Sequence, residues 1–509
     1  NNMKRVFKIF SVFLLTSFLS LGCSKFLDLE PPYTQDAENF FQNESDYLRA
    51  LTGAYDLLQG VYVSFWIGEI ASDNTIAGGE SVTDTEGLHQ IDNMTHGAVN
   101  NELRSLMRYN YCGIARCNFL LEPKDNEIDF PSKSVIFAEA KFLRAFYYFE
   151  LVKVFGDIPL IIDKRLGGQE VLETVRTPSA EVYAQIEKDL NEAVSVLSYK
   201  SESSHSGIQG RVDKGAALSL LGKVYLYQQK WNLSSQTLDV VINSGNYTLG
   251  SDYSTLFQEA NENNSETVFD VEFSSGQGGD YGCLICLEGN VTVGFQGIRS
   301  YDGPVYGDGN SYNLPTQDLY DFFEYQDSRR EATCLNIDEF IANNSPGTTY
   351  TQGGGGHTGF YNNKYIKSAL EMGNLGDNDL TSGVNYRVIR YADVLLMAAE
   401  ASNENGDTSN AIQYLNEVRN RVNLFQYEID VTQPPWNNFS DSQNSIRDII
   451  HRERRAELSC EGHRFFDLVR TGKAASEIDG FVVGKHELFP IPQDEIDLAG
   501  GNWSQNPGY

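Results

Sequence analysis

Basic residues are scarce in this chain. It carries 39 Lys and Arg against 70 Asp and Glu over 509 residues, a formal net charge of −31. Such a surface repels phosphate backbones and gains nothing from anionic headgroups, which excludes nucleic acid as a partner. Histidine is thin as well, at 7 residues. His451, His463 and His486 are scattered, with no HExxH or comparable ligand spacing. Neither GxSxG nor a P-loop occurs. Of the 7 cysteines, Cys112 and Cys117 share an expected helix. Cys283 and Cys286 form a single CxxC without the second pair of a zinc site. These read as structural or free thiols, and disulfide connectivity stays open. Long apolar runs are absent after the first two dozen residues, so the mature chain is not expected to span a membrane.

The one apolar run is informative. Met3, Lys4 and Arg5 form a short basic start, "VFKIFSVFLLTSFLSLG" follows, and Cys23 comes directly after it. That pattern predicts a secretory signal over 1–22. Gly22 before Cys23 resembles the end of a bacterial lipobox, although Ser20 stands where the common pattern has Leu. Cys23 is therefore the expected lipidation site, and two or more acyl chains anchor stably at about 0.8 kcal/mol per buried methylene. Residues 23–43 then read as an extended linker, which Pro31 and Pro32 keep out of helix.

Downstream, helical periodicity dominates. Tyr47, Leu48, Leu51, Tyr55 and Leu58 fall on one face of a helix over 44–62. Further helices are expected over 101–122, 134–156, 178–197, 213–231, 234–245, 392–422 as a helix–turn–helix, and 445–472 ending at Gly472. Leu221-Gly222-x-x-Tyr225 and its neighbouring small residues are shared with tetratricopeptide repeats, in which each helix pair buries its apolar face on the next. Between these helices, 246–314 and 337–390 are rich in Gly, Asn, Ser and Tyr, with a short strand expected in 266–274.

Several motifs in order then point to one family. They are "KFLDLEPP" after Cys23, "KFLRAFYYFELVKVFGDIPL" (141–160), "PTQDLYDFFEYQDSRREAT" (315–333), "RYADVLLMAAEA" (390–401), "LNEVRNRV" (415–422), "RERRAELSCEGHRFFDLVRTG" (452–472), "HELFPIP" (486–492) and "QNPGY" (505–509). Together they resemble the SusD/RagB family of outer-membrane nutrient-binding lipoproteins, almost end to end. The resemblance implies a mainly α fold, an α/α superhelical scaffold of tetratricopeptide-like helix pairs with a loop-rich second subdomain. It divides the chain into an N-terminal part (44–245), a ligand-facing insertion (246–390) and a C-terminal part (391–509). It also implies an outer-membrane position facing the cell exterior, a glycan ligand and a TonB-dependent, SusC-like transporter as partner. No cofactor is implied. Asp302 and Asp308 suggest calcium, but no EF-hand spacing supports it.

A sugar site needs flat rings for the C–H faces of pyranoses, and amides, carboxylates or Arg for the hydroxyls, all standing on loops. Two segments qualify. One is 64–93, with Trp66, Asp73 and Asn74; the other is 295–312, with Phe295, Arg299, Tyr301, Tyr306 and Tyr312. Relatives in the family draw an aromatic arc from roughly these two regions. Trp66 reads equally as a platform or as a core tryptophan. Tyr301 and Tyr306 are expected to be exposed, because Gly-rich neighbours build no core. "GGGGH" (353–357) lacks the strand-to-helix context of a phosphate cradle. Glu453, Glu457 and Glu461 recur at helical spacing. An acid/base pair is the sharp reading. An exposed ion network with Arg144, Arg452, Arg455 and Arg464 is the expected one, each pair contributing a few tenths of a kcal/mol. The sequence thus predicts a non-catalytic glycan-binding lipoprotein. The alternatives are a surface hydrolase, a binder of peptides or other nutrients, and a scaffold that binds only protein.

Overall fold

A computed structural model describes residues 40–123, 128–202, 208–283, 288–370, 376–424, 426–427 and 443–509. The signal segment, Cys23 and most of the linker lie outside the described residues. The chain falls into two units, Asn1–Asp46 and Tyr47–Tyr509. In the first, the Asp46 carboxylate accepts the backbone N–H groups of Gln42 and Asn43 at 2.8 and 3.0 Å.

The second unit is mainly helical. α1 (Glu44–Asp56) runs through a short 3₁₀ turn into α2 (Val61–Ile70), where one helix over 44–62 was expected. The Tyr109 ring packs on Gly60 in that turn, close enough to crowd any Cβ there at 3.1 Å. Next come α3 (Glu86–Asp92), α4 (Asn101–Leu121) and α5 (Lys133–Phe155). α5 is buried on nearly every side because α4 covers one flank and α6 (Ser179–Val196) another. A closed polar joint ties the three together. Arg144 grips Asp189 with two bonds of 2.8 Å and donates to Asn118 Oδ1 at 2.9 Å. α5 ends at Gly156, whose φ of +69° suits glycine.

α7 (Lys214–Tyr227) packs on α6 and forms a hairpin with α8 (Trp231–Asn243). Gly222 of the L-G-x-x-Y motif sits at that crossing. A Cβ there would lie 2.5 Å from Leu238, and Ser234 Oγ donates to the Gly222 carbonyl at 2.9 Å. α10 (Tyr391–Glu404) packs on α8, then on α11 (Thr408–Arg421) and α12 (Gln443–Leu458), which continues the helix-pair stacking into the C-terminal part. Among the described residues, every strand but the first falls in the insertion, as does a further short helix introduced below.

The expected helix over 445–472 is broken. α12 stops at Leu458 and α13 begins at Arg464 (Arg464–Arg470). Cys460 and Gly462 at the break have φ of +65° and +88°. Glu69, fully buried at the end of α2, explains it. Its Oε1 accepts the backbone N–H groups of Glu461, Gly462 and His463 at 3.1, 2.7 and 3.3 Å. A carboxylate supplied from 392 to 394 residues away in sequence replaces the helical partners of those donors.

The insertion is less loop-like than its composition predicts. β1 (Thr75–Gly78) pairs antiparallel with β5 (Tyr312–Pro315), with Gly78 opposite Tyr312. β2 (Thr267–Val271) pairs with β8 (Tyr386–Arg390). β3 (Ile298–Arg299) lies parallel to β4 (Asp308–Gly309), and β6 (Cys334–Asn336) pairs with β7 (Phe360–Asn362). These two-stranded ladders are short, and three of them join segments far apart in the chain. Among the described residues no helix is long and apolar enough to cross a membrane.

Candidate functional site

The β1–β5 ladder brings together the two segments that the sequence marks for sugar binding. Trp66 on α2, Tyr312 on β5 and Phe295 on α9 (Val291–Gln296) form one aromatic cluster. The Trp66 ring lies 5.6 Å from Phe295 and 6.1 Å from Tyr312, inclined at 33° and 32°. Tyr281 stacks on Phe295 at 6.4 Å and 23°. The cluster is a wedge running from interior to surface: Trp66 is 3% exposed and Tyr281 63%. Trp66 Nε1 is buried and has no hydrogen-bond partner among the described residues.

Glycines and caps set these rings. Asn290 caps α9 through Thr292 N at 3.0 Å and is held by the Val384 carbonyl at 2.8 Å. A Cβ on Gly294 would lie 2.0 Å from the Asp379 carbonyl oxygen, so glycine lets segment 377–381 lie against α9. That contact places Asp379 beside Tyr281, whose hydroxyl donates to Asp379 Oδ2 at 3.3 Å. The Tyr312 hydroxyl meets Thr85 Oγ1 at 2.9 Å, and the Glu80 N–H donates to Asp84 Oδ2 at 3.0 Å. The Gly353–Gly356 run is a backbone brace: Gly354 N and Gly355 N donate to the Glu80 and Gly79 carbonyls at 2.8 and 3.2 Å. A side chain on Gly355 would meet the Gly78 carbonyl at 2.1 Å.

The remaining candidates fall elsewhere. Arg299 borders the cluster; its Nη2 donates to the Asn310 carbonyl at 2.9 Å and its Nη1 lies 3.8 Å from Glu80. Asp73 and Asn74 lie beneath, where they serve the scaffold. Asp73 holds Arg464 at 2.7 Å and Arg455 at 3.0 Å, and fully buried Asn74 accepts from Arg455 at 2.9 Å. Tyr301 is buried, against expectation, in a core with Ile298, Leu314, Leu335, Ile337 and Tyr361, and Tyr306 is half-buried against it. The β6–β7 pair and the helix Ile337–Asn344 supply the apolar cover that the local Gly-rich sequence lacks. Tyr301 and Tyr306 meet edge to face at 5.8 Å.

Glu453, Glu457 and Glu461 form a network that is buried, where an exposed one was expected, and its basic partners differ from the expected arginines. Arg329 joins Asp327, Glu453 and Glu457 at 2.7, 2.6 and 3.0 Å. Arg390 and Arg421 both clasp Glu457, Arg419 holds Glu453 at 2.6 Å, and Lys364 holds Glu461 at 2.6 Å. These cations hold the Glu457 and Glu461 carboxyls below the ordinary carboxylate range despite burial. With their oxygens engaged inside the core, these glutamates are posts that pin α12 and the turn after it to the insertion and to α11. Cys112, Cys117, Cys334 and Cys460 are free thiols, and Cys283 is disulfide-bonded. Among the described residues no group of three or more His, Cys, Asp or Glu is placed to hold a metal ion.

Sequence reasoning missed Tyr281, Asp84 and Thr85. Tyr281 lies two residues before Cys283 in a Gly-rich stretch, and only its contacts with Phe295 and Asp379 distinguish it from other loop tyrosines.

Comparison with known proteins gives a consistent picture. The SusD family model matches residues 336–486, and a model described as starch-binding, associating with outer membrane, matches 25–226. SusD-like protein P2 of Formosa agariphila is 28% identical, with 100% of each chain covered. A solved laminarin-binding SusD-like protein is 35% identical, covers 92% of this chain and 100% of its own, and superimposes with a TM-score of 0.80. Surface glycan-binding protein A from Bacteroides thetaiotaomicron, solved in complex with laminarihexaose, is 26% identical, covers 91% of this chain and 100% of its own, and has a TM-score of 0.78.

Proposed function

The chain belongs to the SusD family, and from that premise we propose that it is a non-catalytic glycan-binding lipoprotein of the outer-membrane surface. Lipid on Cys23 tethers it, and the bound oligosaccharide passes to a TonB-dependent, SusC-like transporter. The observation that carries the reading is the meeting of segments 64–93 and 295–312 along β1–β5, which builds an aromatic wedge ending at exposed Tyr281. Rings of this kind offer flat apolar faces to pyranose C–H groups, and Asp84, Thr85 and Asp379 at the border offer acceptors for sugar hydroxyls. Relatives named for binding laminarin and starch support a glucan as the first ligand class to try.

The test is affinity electrophoresis of the full chain through gels containing laminarin, starch or other polysaccharides, with a parallel assay for released reducing ends. Retardation in at least one glucan gel with no reducing ends over hours is the expected result. Release of reducing ends would make the protein a hydrolase, and free migration in every gel would remove glycan binding.

A further inference from the structure

Acidic side chains gather at the border of the aromatic wedge. Glu80 and Asp84 stand on the loop after β1, and the Glu80 side chain is 76% exposed. Asp280 precedes Tyr281 and accepts the Gly282 N–H at 2.8 Å. Asp379 takes the Tyr281 hydroxyl, and Asp377, which caps Asp379 N at 2.9 Å, acts on the same ring. Among the described residues, the cation at this border is Arg299. Its Nε donates to Ser311 Oγ at 3.3 Å, its Nη2 to the Asn310 carbonyl at 2.9 Å, and its Nη1 faces Glu80.

We infer that the site takes uncharged oligosaccharides and turns away sulfated or uronic-acid polymers. This rests on the reading of the wedge as a glycan site and specifies the class of glycan. A sulfate or carboxylate on a sugar needs cationic N–H donors, best from a planar guanidinium that is free to bind it face-on. Two donors of the guanidinium here go to Ser311 and Asn310, and the Glu80 carboxylate stands 3.8 Å from its Nη1. Carboxylates accept hydrogen bonds and cannot donate them, so they match the O–H donors of a neutral sugar and oppose a second anion. The net charge of −31 acts in the same direction at longer range on a polyanion.

Matched pairs test this: laminarin with sulfated laminarin, and maltodextrin with its sulfated derivative, titrated calorimetrically into the full chain at low and high salt. For a pair whose neutral member binds, the sulfated one is expected to bind about tenfold more weakly or worse at low salt. The gap should narrow as salt screens the repulsion. The combined variant Glu80→Gln, Asp84→Asn and Asp379→Asn should narrow it at low salt. Equal or tighter binding of a sulfated polymer by the wild-type chain would overturn the inference while leaving glycan binding in place. Silence from all the neutral and sulfated polymers would overturn the glycan reading itself, and this inference with it.

Discussion

Glu457 is fully buried, with Arg329, Arg390 and Arg421 on its carboxylate. Removing one member of such a group strands the others without water, which costs about 3–5 kcal/mol for a buried pair. Glu457→Ala is therefore expected to lower the free energy of unfolding by that much or to prevent folding, whereas an exposed helix pair costs a few tenths of a kcal/mol. Equilibrium unfolding decides between these. Trp66 and Tyr281 separate in the same way, although both belong to the wedge. Truncating buried Trp66 to Ala removes a large ring from a packed site, about 3–5 kcal/mol. Tyr281→Ala removes a surface ring, and melting should stay nearly unchanged while retention in a glucan gel falls. Unaltered retention would take Tyr281 out of the site. Burial of Tyr301 was not legible from its glycines, because the core residues around it, Ile298 apart, lie 13 to 60 positions downstream.

At the level of elements, the break between α12 and α13 depends on Glu69. Burial raises its carboxyl to about 7 even with three backbone donors upon it. Between the unfolded value of about 4.3 and about 7, the folded protein keeps a proton that the unfolded chain has released. Stability from this group is therefore full below that window and lost as pH rises through it. Glu69→Gln retains an acceptor oxygen for the three N–H groups and removes the titration. The melting temperature of the wild type minus that of the variant should fall as pH rises from about 5 to about 8; a flat difference would mean the carboxylate is already charged at the lower pH. The periodic pattern of 445–472 announced the helices but not the gap, since the residue that opens the gap belongs to α2.

Across the whole molecule, two sets of groups set the acid limit. Cations hold Glu400, Glu457, Glu461, Asp393 and Asp467 below their ordinary range, so the stability they supply is present above their unfolded pKa and lost as pH falls through the folded values. Burial lowers His451 to about 4, and His96 and His463 to about 3. These imidazoles are neutral in the fold but charged in the unfolded chain below about 6.5, so their share is also lost on acidification. A steep, cooperative loss of structure is expected below about pH 4, followed by far-UV circular dichroism. Retention of the native spectrum at pH 2 to 3 would mean the buried ion pairs contribute little.

The helix pairs are written in local pattern, since a 3.6-residue apolar period and small residues such as Gly222 are local properties that survive in any context. Long motifs in order carry the family as well, and composition marks the two segments that meet at the wedge. Which aromatic rings reach the surface, which carboxylates are posts and where α12 ends are set by the packed fold. Each of those depends on a partner brought from a distant part of the chain, and no window of sequence contains both members of a contact between Glu69 and Gly462 or between Tyr281 and Asp379.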